Sequence, residues 1–369
     1  MKKRFLGKTY QQYLFREVFG ATLLVLLAFL ALFGFFDLIN ELGDIGKGGY
    51  HIQHAVLFVL LTLPGRIYEL MPIAVLIGSL FALSTLARHS EITVLRASGL
   101  STRNLLQTLF RVAAVFALLT FLMGEFIAPP AEKIGQRLRL QAQGMALASD
   151  FRTGLWVKDE NRFINVRTVT PEAKLQGVRI YEFDGQGRLL VVSDAEEGEY
   201  LPNSVWRLKG VAQTFLEGDE QGRPARGRVV HEDEVMWPSA LNPDILSVLL
   251  VVPERMSVLN LVSYIKHLSD NRQKTQRYEI AFWKKVIYPL AALVMVALAL
   301  PFGYTHNRVG GASLKIFSGV MLGVFFHMLN GLFSNLGVIN SWSPLSSAVA
   351  PSAMFLLAAV AMLWWVERR

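Results

Sequence analysis

The sequence contains no cysteine. Disulfides, thiolate nucleophiles and cysteine-based zinc sites are therefore excluded. A phosphate loop of the form Gly-x-x-x-x-Gly-Lys-Ser/Thr is also lacking, as are His-Glu-x-x-His and the Gly-x-Ser-x-Gly nucleophile turn. The stretch from Gly43 to Gly49 imitates a phosphate loop, but no Ser or Thr follows Lys47. Histidines are scattered. His51 and His54 stand close together without a third ligand nearby, and they read as solvated loop residues. His327 and Asn330 fall within an apolar run, where a hydrogen bond between helices is the simpler role than a polar pathway. No nucleophile–base pair or metal cluster supports an intramembrane enzyme. The net charge is +8, yet no Lys/Arg-rich run is interleaved with aromatics, so nucleic acid is not the implied partner.

Charge itself is missing over long distances. No Asp, Glu, Lys or Arg occurs in Val18–Phe36, Leu70–Ala87, Val286–Asn307 or Ile316–Val366. A helix needs ~20 mostly apolar residues to cross the hydrocarbon core. The last run is long enough for two such helices, and turn formers between Asn335 and Pro344 divide it. A weaker span lies between Arg111 and Glu125, extended by flanking apolar residues. Six helices are expected near residues 14–36, 64–87, 104–128, 282–302, 314–334 and 345–366. The N-terminal run has full span length and lacks a small-x-small exit, so it reads as an uncleaved anchor.

Basic residues orient the chain. Lys2, Lys3, Arg4, Lys8 and Arg16 precede the first span. Arg88, Arg96 and Arg103 lie in the second connection, Arg308 and Lys315 in the fourth, and Arg368-Arg369 end the chain. The opposite short connections are nearly bare of them. Lysine and arginine in short loops stay cytoplasmic, so both termini are expected inside. The polar middle follows an odd number of spans and is expected outside.

That middle, about 120 residues, can bury a core of its own. Its alternation of apolar and polar residues reads as strands. Leu155–Lys158 and Arg162–Arg167 suggest a hairpin, followed by Gly177–Asp184 and Arg188–Val192. Val205–Lys209 and Val211–Phe215 read as two further strands. Repeated short strands suggest a sandwich or jelly roll. Arg162/Ile164/Val166 and Phe163/Asn165/Arg167 form opposite faces, and Phe163 keeps the choice of inner face open. Flanking helices are expected over Glu132–Gln143 and Ser257–Gln276. The fold class is thus an α-helical polytopic membrane protein with an inserted β-rich domain. Its organisation is 1–130 (spans one to three, with a short cytoplasmic helix near 88–99), 131–277 (the β-rich, jelly-roll-like domain and its flanking helices) and 278–369 (spans four to six).

The short cytoplasmic segment from Ala87 to Gly99 has a helix signature. Ser90 can cap it with Glu91 in the first turn, Ile92 and Leu95 give it an apolar side, and Gly99 stops it. Ser101 can start the next helix. Docking device and plain connector are equally consistent with this spacing. On the outer side, Lys133, Arg137 and Arg139 follow the third span, and Lys284 and Lys285 begin the fourth. Cations there run against the charge bias. They either meet a phosphorylated headgroup or snorkel to ordinary lipid phosphates. Arg66 and Glu69 can pair on one helix face. Gly319 and Gly323 form Gly-x-x-x-Gly in the fifth span and allow close helix approach.

Ser90-Glu-Ile-Thr-Val-Leu-Arg-Ala-Ser-Gly99 resembles the coupling helix of the LptF/LptG family of lipopolysaccharide export permeases. So do Gly124-Glu-Phe-Ile-Ala-Pro129, the Arg137/Arg139 helix with Gln141-Ala142, Gly154-Leu-Trp-Val-Lys-Asp159, and Tyr278-Glu279. The resemblance covers essentially the whole chain and is greater to the G type than to the F type. It implies a permease subunit of an ATP-driven transporter, not an enzyme in itself, in a Gram-negative inner membrane. ATP and Mg would be bound by the partner ATPase LptB, present in two copies, and this chain would carry no cofactor. It further implies the sister permease LptF, membrane-anchored LptC and the periplasmic bridge protein LptA as partners, and lipopolysaccharide as cargo. Ser90, Glu91, Ile92, Leu95 and Arg96 would couple to the ATPase. Of the outer cations Lys133, Arg137, Arg139, Lys284 and Lys285, charge favours lipid contact by Arg139 and at least one of the two lysines Lys284 and Lys285; Gly319 and Gly323 would pack a lateral gate or, equally well, a helix of their own chain. G-type relatives carry lysines at the outer end of the first span. Here that end reads Gly34-Phe-Phe-Asp-Leu-Ile-Asn-Glu-Leu-Gly-Asp44, which removes the expected basic contact. The alternatives are a membrane-anchored scaffold whose outer β-domain recruits envelope proteins, and the F-type permease.

Overall fold

The computed structural model describes residues 2–143, 154–170, 174–201, 205–217, 226–239, 252–304 and 311–368. The chain begins with long helix α1 (Lys2–Leu42) and α2 (Ile52–Arg88). Short α3 (Glu91–Ala97) leads to α4 (Thr102–Leu122), which passes through a π-helical turn (Met123–Ile127) into α5 (Ala128–Ala142). Strands β1 (Leu155–Asp159), β2 (Arg162–Val169), β3 (Leu175–Phe183), β4 (Leu189–Leu201), β5 (Val205–Glu217) and β6 (Arg226–Pro238) follow. The chain then returns through α6 (Val258–Asp270), α7 (Gln276–Ile287), α8 (Ala291–Tyr304), α9 (Gly311–Ile339) and α10 (Pro344–Glu367).

Among the described residues six segments are long and apolar enough to cross a membrane: Thr9–Leu42, Ile52–Arg88, Thr102–Ala142, Gln276–Phe302, Leu314–Ile339 and Pro344–Val366. A backbone in hydrocarbon has no water to bond, so an apolar run of this length folds as helix. The second helix begins at Ile52 instead of near residue 64, because Pro64 and Pro72 lie inside it. Neighbouring helices enclose those positions, and a proline is tolerated in such a helix. The third continues well past its apolar part, since the π turn absorbs an extra residue without ending the helix.

α2 is the central helix. Residues from Leu70 to Leu86 are mostly buried, with α1, α8 and α9 packed around it. α1 keeps Leu24, Leu27, Phe35 and Phe36 exposed, and α9 keeps Phe317, Met321, Val324 and Met328 exposed. These apolar faces suit lipid or another transmembrane helix.

The strands form one antiparallel sheet in sequential order, β1-β2-β3-β4-β5-β6. Val166, Val178, Ala195 and Val211 are paired row by row across four strands and all are buried. Ile164, Ile180, Trp206, Leu208 and Trp237 share that core. The more aliphatic set is therefore the inner one, and Phe163 faces outward at 41% exposure. The two strands expected between Val205 and Phe215 are one, because Gly210 takes φ +61 without ending the pairing. β4 runs on to Leu201. β6 was hidden in the sequence by its charges, His231-Glu-Asp-Glu234, yet it pairs with β5 from end to end. A charged edge strand is common, since charge discourages pairing with other chains.

Candidate functional site

At the end of the bundle away from the sheet, α3 lies between α2 and α4. Its start differs from the expected cap. Ser90 has φ 59 and its side chain accepts no hydrogen bond from the helix, because the left-handed turn points the hydroxyl away. The stop is as expected: Gly99 has φ +92, with Gly99 N–H donating to Arg96 O at 2.9 Å and Leu100 N–H to Leu95 O at 3.0 Å. Ser101 caps α4 by accepting from Asn104 N–H at 3.3 Å. Ile92 is buried in the bundle core and Leu95 is half-buried. The Glu91 carboxylate lies near the Tyr13 hydroxyl of α1. The face left open carries Thr93, Val94, Arg96 and Ala97, with Val94 62% exposed. The apolar side read from sequence thus anchors α3 to its own chain.

The sheet-side ends of the helices hold a charge network. Arg66 lies between Asp37, at 2.7 and 2.9 Å, and Glu69, at 3.1 Å. Arg139 is ion-paired with Asp44 and, at 3.4 Å, with Glu41. Tyr50 O–H donates to Glu41 at 2.9 Å. Lys47 hydrogen-bonds Asp44 at 2.6 Å; that bond and Arg139 lower the Asp44 carboxyl to about 2. A cleft of about 220 Å³ is lined by the carboxylates of Asp37, Glu41, Glu69 and Glu132 against the guanidiniums of Arg66, Arg139 and Arg255. Carboxylates outnumber guanidiniums, so this cleft holds no surplus positive charge for a phosphate.

A second set fixes the segment that returns from the sheet. The Glu125 carboxylate accepts from Val258 N–H at 2.8 and 3.0 Å, at the start of α6. Arg255 pairs with Glu132. Lys285 is buried, donates to Met256 O at 2.5 Å, and lies 5.3 Å from the Tyr68 ring centre. Lys284 has a different environment. Its Nζ is 3.5 Å from Ser334 Oγ, in a cleft of about 400 Å³ that Arg277, Glu254 and Asn335 also line.

The expected basic cluster therefore divides. Arg139 and Lys285 are engaged within the chain. Lys133 and Arg137, one turn apart on α5, make no ion pair or hydrogen bond among the described residues, and Arg137 is exposed. Sequence reasoning missed the partners Asp37, Glu41 and Asp44, although their roughly helical spacing was visible beside Lys47. It also missed Glu125 as a cap, for which the sequence holds no signal. Gly319 and Gly323 face α2: a Cβ at the first would meet Leu80 and at the second Ile73. Their packing is with this chain's own helix, and the open face of α9 is the one carrying Phe317 and Met321. Among the described residues no group of His, Asp and Glu is placed to hold a metal.

A long helical bundle with one six-stranded sheet inserted between its third and fourth spans is a distinctive plan. Residues 12–365 match the family described as Lipopolysaccharide export system permease LptF/LptG. The chain belongs to the LptF/LptG family. It is 30% identical over 369 residues to the Lipopolysaccharide export system permease protein LptG of Escherichia coli (strain K12), covering 99% of this chain and 98% of that protein. It is 28% identical over 364 residues to the protein of the same name from Haemophilus influenzae, with 98% of both chains covered. The LptF/LptG match thus includes both helical halves and the sheet, not one part alone.

Proposed function

We propose that this chain is the G-type permease subunit of an ATP-driven exporter that extracts lipopolysaccharide from the outer leaflet of the inner membrane. The single observation that carries this is the match to the permease family over nearly the whole length, on a structure with α3 at one end of the bundle and the sheet at the other. The chain would pair with the sister permease LptF, take its driving force from two copies of LptB, and pass cargo towards LptC and LptA. Both termini and α3 would be cytoplasmic, on the side rich in lysine and arginine.

In this reading Thr93, Val94, Arg96 and Ala97 form the contact with the ATPase. Glu91, Ile92 and Leu95 position the helix, with Ser90 at the turn. Cargo phosphates would meet Lys133 and Arg137, whose charge no described residue neutralises, and Lys284 across the bundle end. Arg139 and Lys285 would act indirectly by holding α5 and the return segment in place. Acyl chains would pass over the inner face of the sheet around Ile164, Val166, Val178 and Ile180 when that buried core opens, because exposed hydrocarbon costs ~0.8 kcal/mol per methylene. Any contact of α9 with the F-type partner would use its exposed face, with Gly319 and Gly323 holding that helix against α2.

Co-purification from native membranes, with mass spectrometry of bound protein and lipid, tests the reading. The wild-type complex should carry the ATPase and a glycolipid. Val94→Asp should abolish ATPase recovery without loss of membrane insertion. Normal ATPase recovery and export by both Val94→Asp and Glu91→Arg would remove the coupling role of α3. It would favour the scaffold.

A further inference from the structure

The face of the sheet opposite its core is not a uniform polar surface. Trp156 is 51% exposed and Phe163 41% exposed. Trp156 stacks on Tyr181, with ring centres 5.7 Å apart and planes 18° apart. Phe163 meets Phe183 edge-on at 5.6 Å. Together these rings make an aromatic platform across β1, β2 and β3, in which Trp156 and Tyr181 lie nearly parallel and Phe163 and Phe183 stand edge to face. None of them belongs to the charge network at the helix ends or to the sheet core.

The row that starts at Trp156 turns polar across the following strands. Pairing places Trp156 beside Asn165, Asn165 beside Arg179, Arg179 beside Asp194, Asp194 beside Ala212, and Ala212 beside His231. A shallow cleft of about 580 Å³ lies over this row, lined by Asn165, Arg167, Arg179, Asp194, Glu196 and His231. Arg179 donates to Asp194 at 2.5 Å. Two guanidiniums stand against two carboxylates, so the charges balance. Gly177 and Gly210 contribute to the cleft, with φ +63 and +61. A Cβ at either would come within 3.0 Å of Arg167 or Glu196 and crowd it.

We infer that this platform and cleft bind a saccharide: the sugar part of the cargo, outside the sheet, while acyl chains occupy the opposite face. A pyranose has an apolar C–H face that lies flat on an aromatic ring, and hydroxyls round its edge. Planar amide, carboxylate and guanidinium groups bond such hydroxyls in pairs, as donor and acceptor. Other ligands fit less well. A free phosphate or an anionic membrane needs surplus positive charge, which the balanced cleft lacks. An amphipathic helix needs a continuous apolar groove, which the polar row interrupts. The inference rests on the reading that the cargo is a glycolipid.

The test uses the full-length chain in nanodiscs. The probe is a lipid-free, dephosphorylated core oligosaccharide prepared from lipopolysaccharide, observed by saturation-transfer difference NMR. Saturable transfer should occur with wild type. Trp156→Ala should weaken it by about tenfold, the scale of a lost aromatic contact. Asp194→Asn leaves the platform whole and should also weaken it, which covers the case in which Trp156→Ala perturbs the sheet. Inorganic phosphate and phosphatidylglycerol vesicles should not compete. Absence of saturable binding would overturn the inference, as would binding that both variants leave unchanged or competition by either anion. The two readings fail separately. Glycolipid in the purified complex without oligosaccharide binding removes only the saccharide site. Oligosaccharide binding without any co-purified glycolipid removes the export reading and keeps the site.

Discussion

Glu125→Gln isolates how the membrane bundle holds the segment returning from the sheet. The π turn at Met123–Ile127 lets the Glu125 carboxylate accept from Val258 N–H at 2.8 and 3.0 Å. The first amides of a helix have no partner within it, and a carboxylate there also opposes the helix dipole. A hydrogen bond to a charged acceptor is worth about 1.5–3 kcal/mol. Glutamine keeps the shape and one carbonyl oxygen but loses the charge. A local loss of about 1–2 kcal/mol is therefore expected, equivalent to a factor of about 5–30 in the opening equilibrium. Hydrogen exchange of the purified chain, followed in peptides covering Val258 to Leu261, measures this directly. Exchange at Val258 should accelerate by that factor. Ser257 accepts from Asn260 N–H at 3.2 Å independently of Glu125, so the amide of Asn260 serves as an internal reference. Unchanged exchange at Val258 would show that the Glu125 contact contributes nothing and that the π turn has another cause.

Gly323→Leu should drive a side chain into Ile73 and separate α9 from α2, at a cost of about 1–3 kcal/mol for overpacking, seen as a lower unfolding temperature in detergent. Changing Phe317 on the open face of the same helix to Leu should leave that temperature nearly unchanged. The Asp44 carboxyl is lowered from 3.8 to about 2, so its pairing stabilises the fold above pH 3.8 and that contribution fades as pH falls towards 2. The unfolding-temperature difference between wild type and Asp44→Asn should accordingly be constant from neutral pH to about 5 and shrink below about 4. Replacing Lys133 and Arg137 together by glutamine should lower glycolipid recovered with the complex, measured by mass spectrometry. Arg139→Gln alone should instead loosen α1 from α5 and show as faster hydrogen exchange near Glu41 and Asp44.

Much of the architecture follows from local pattern. An apolar run of span length has only one way to satisfy its backbone in hydrocarbon, so the helices could be read directly. The alternation in Arg162–Val166 fixed which residues are on opposite sides of a strand, because side chains alternate. It could not say which side is inner: Ile164 and Val166 are buried because Val178, Ala195 and Val211 of other strands complete the same row. β6 escaped because its apolar positions are diluted by His231-Glu-Asp-Glu234 and only its partner β5 makes it a strand. Ser90 looked like a cap by residue type, but capping depends on backbone direction, and φ 59 turns it away. The sequence by itself thus determined the spans, the inserted sheet and the presence of cations near Lys133 and Lys284. Tertiary structure decided which of those cations are free. Arg137 and Arg139 are two residues apart on one helix and so point to different sides. Only the second reaches Asp44, 95 residues away in the chain. Helical periodicity is a local property, whereas neutralisation of a charge depends on what the fold brings beside it.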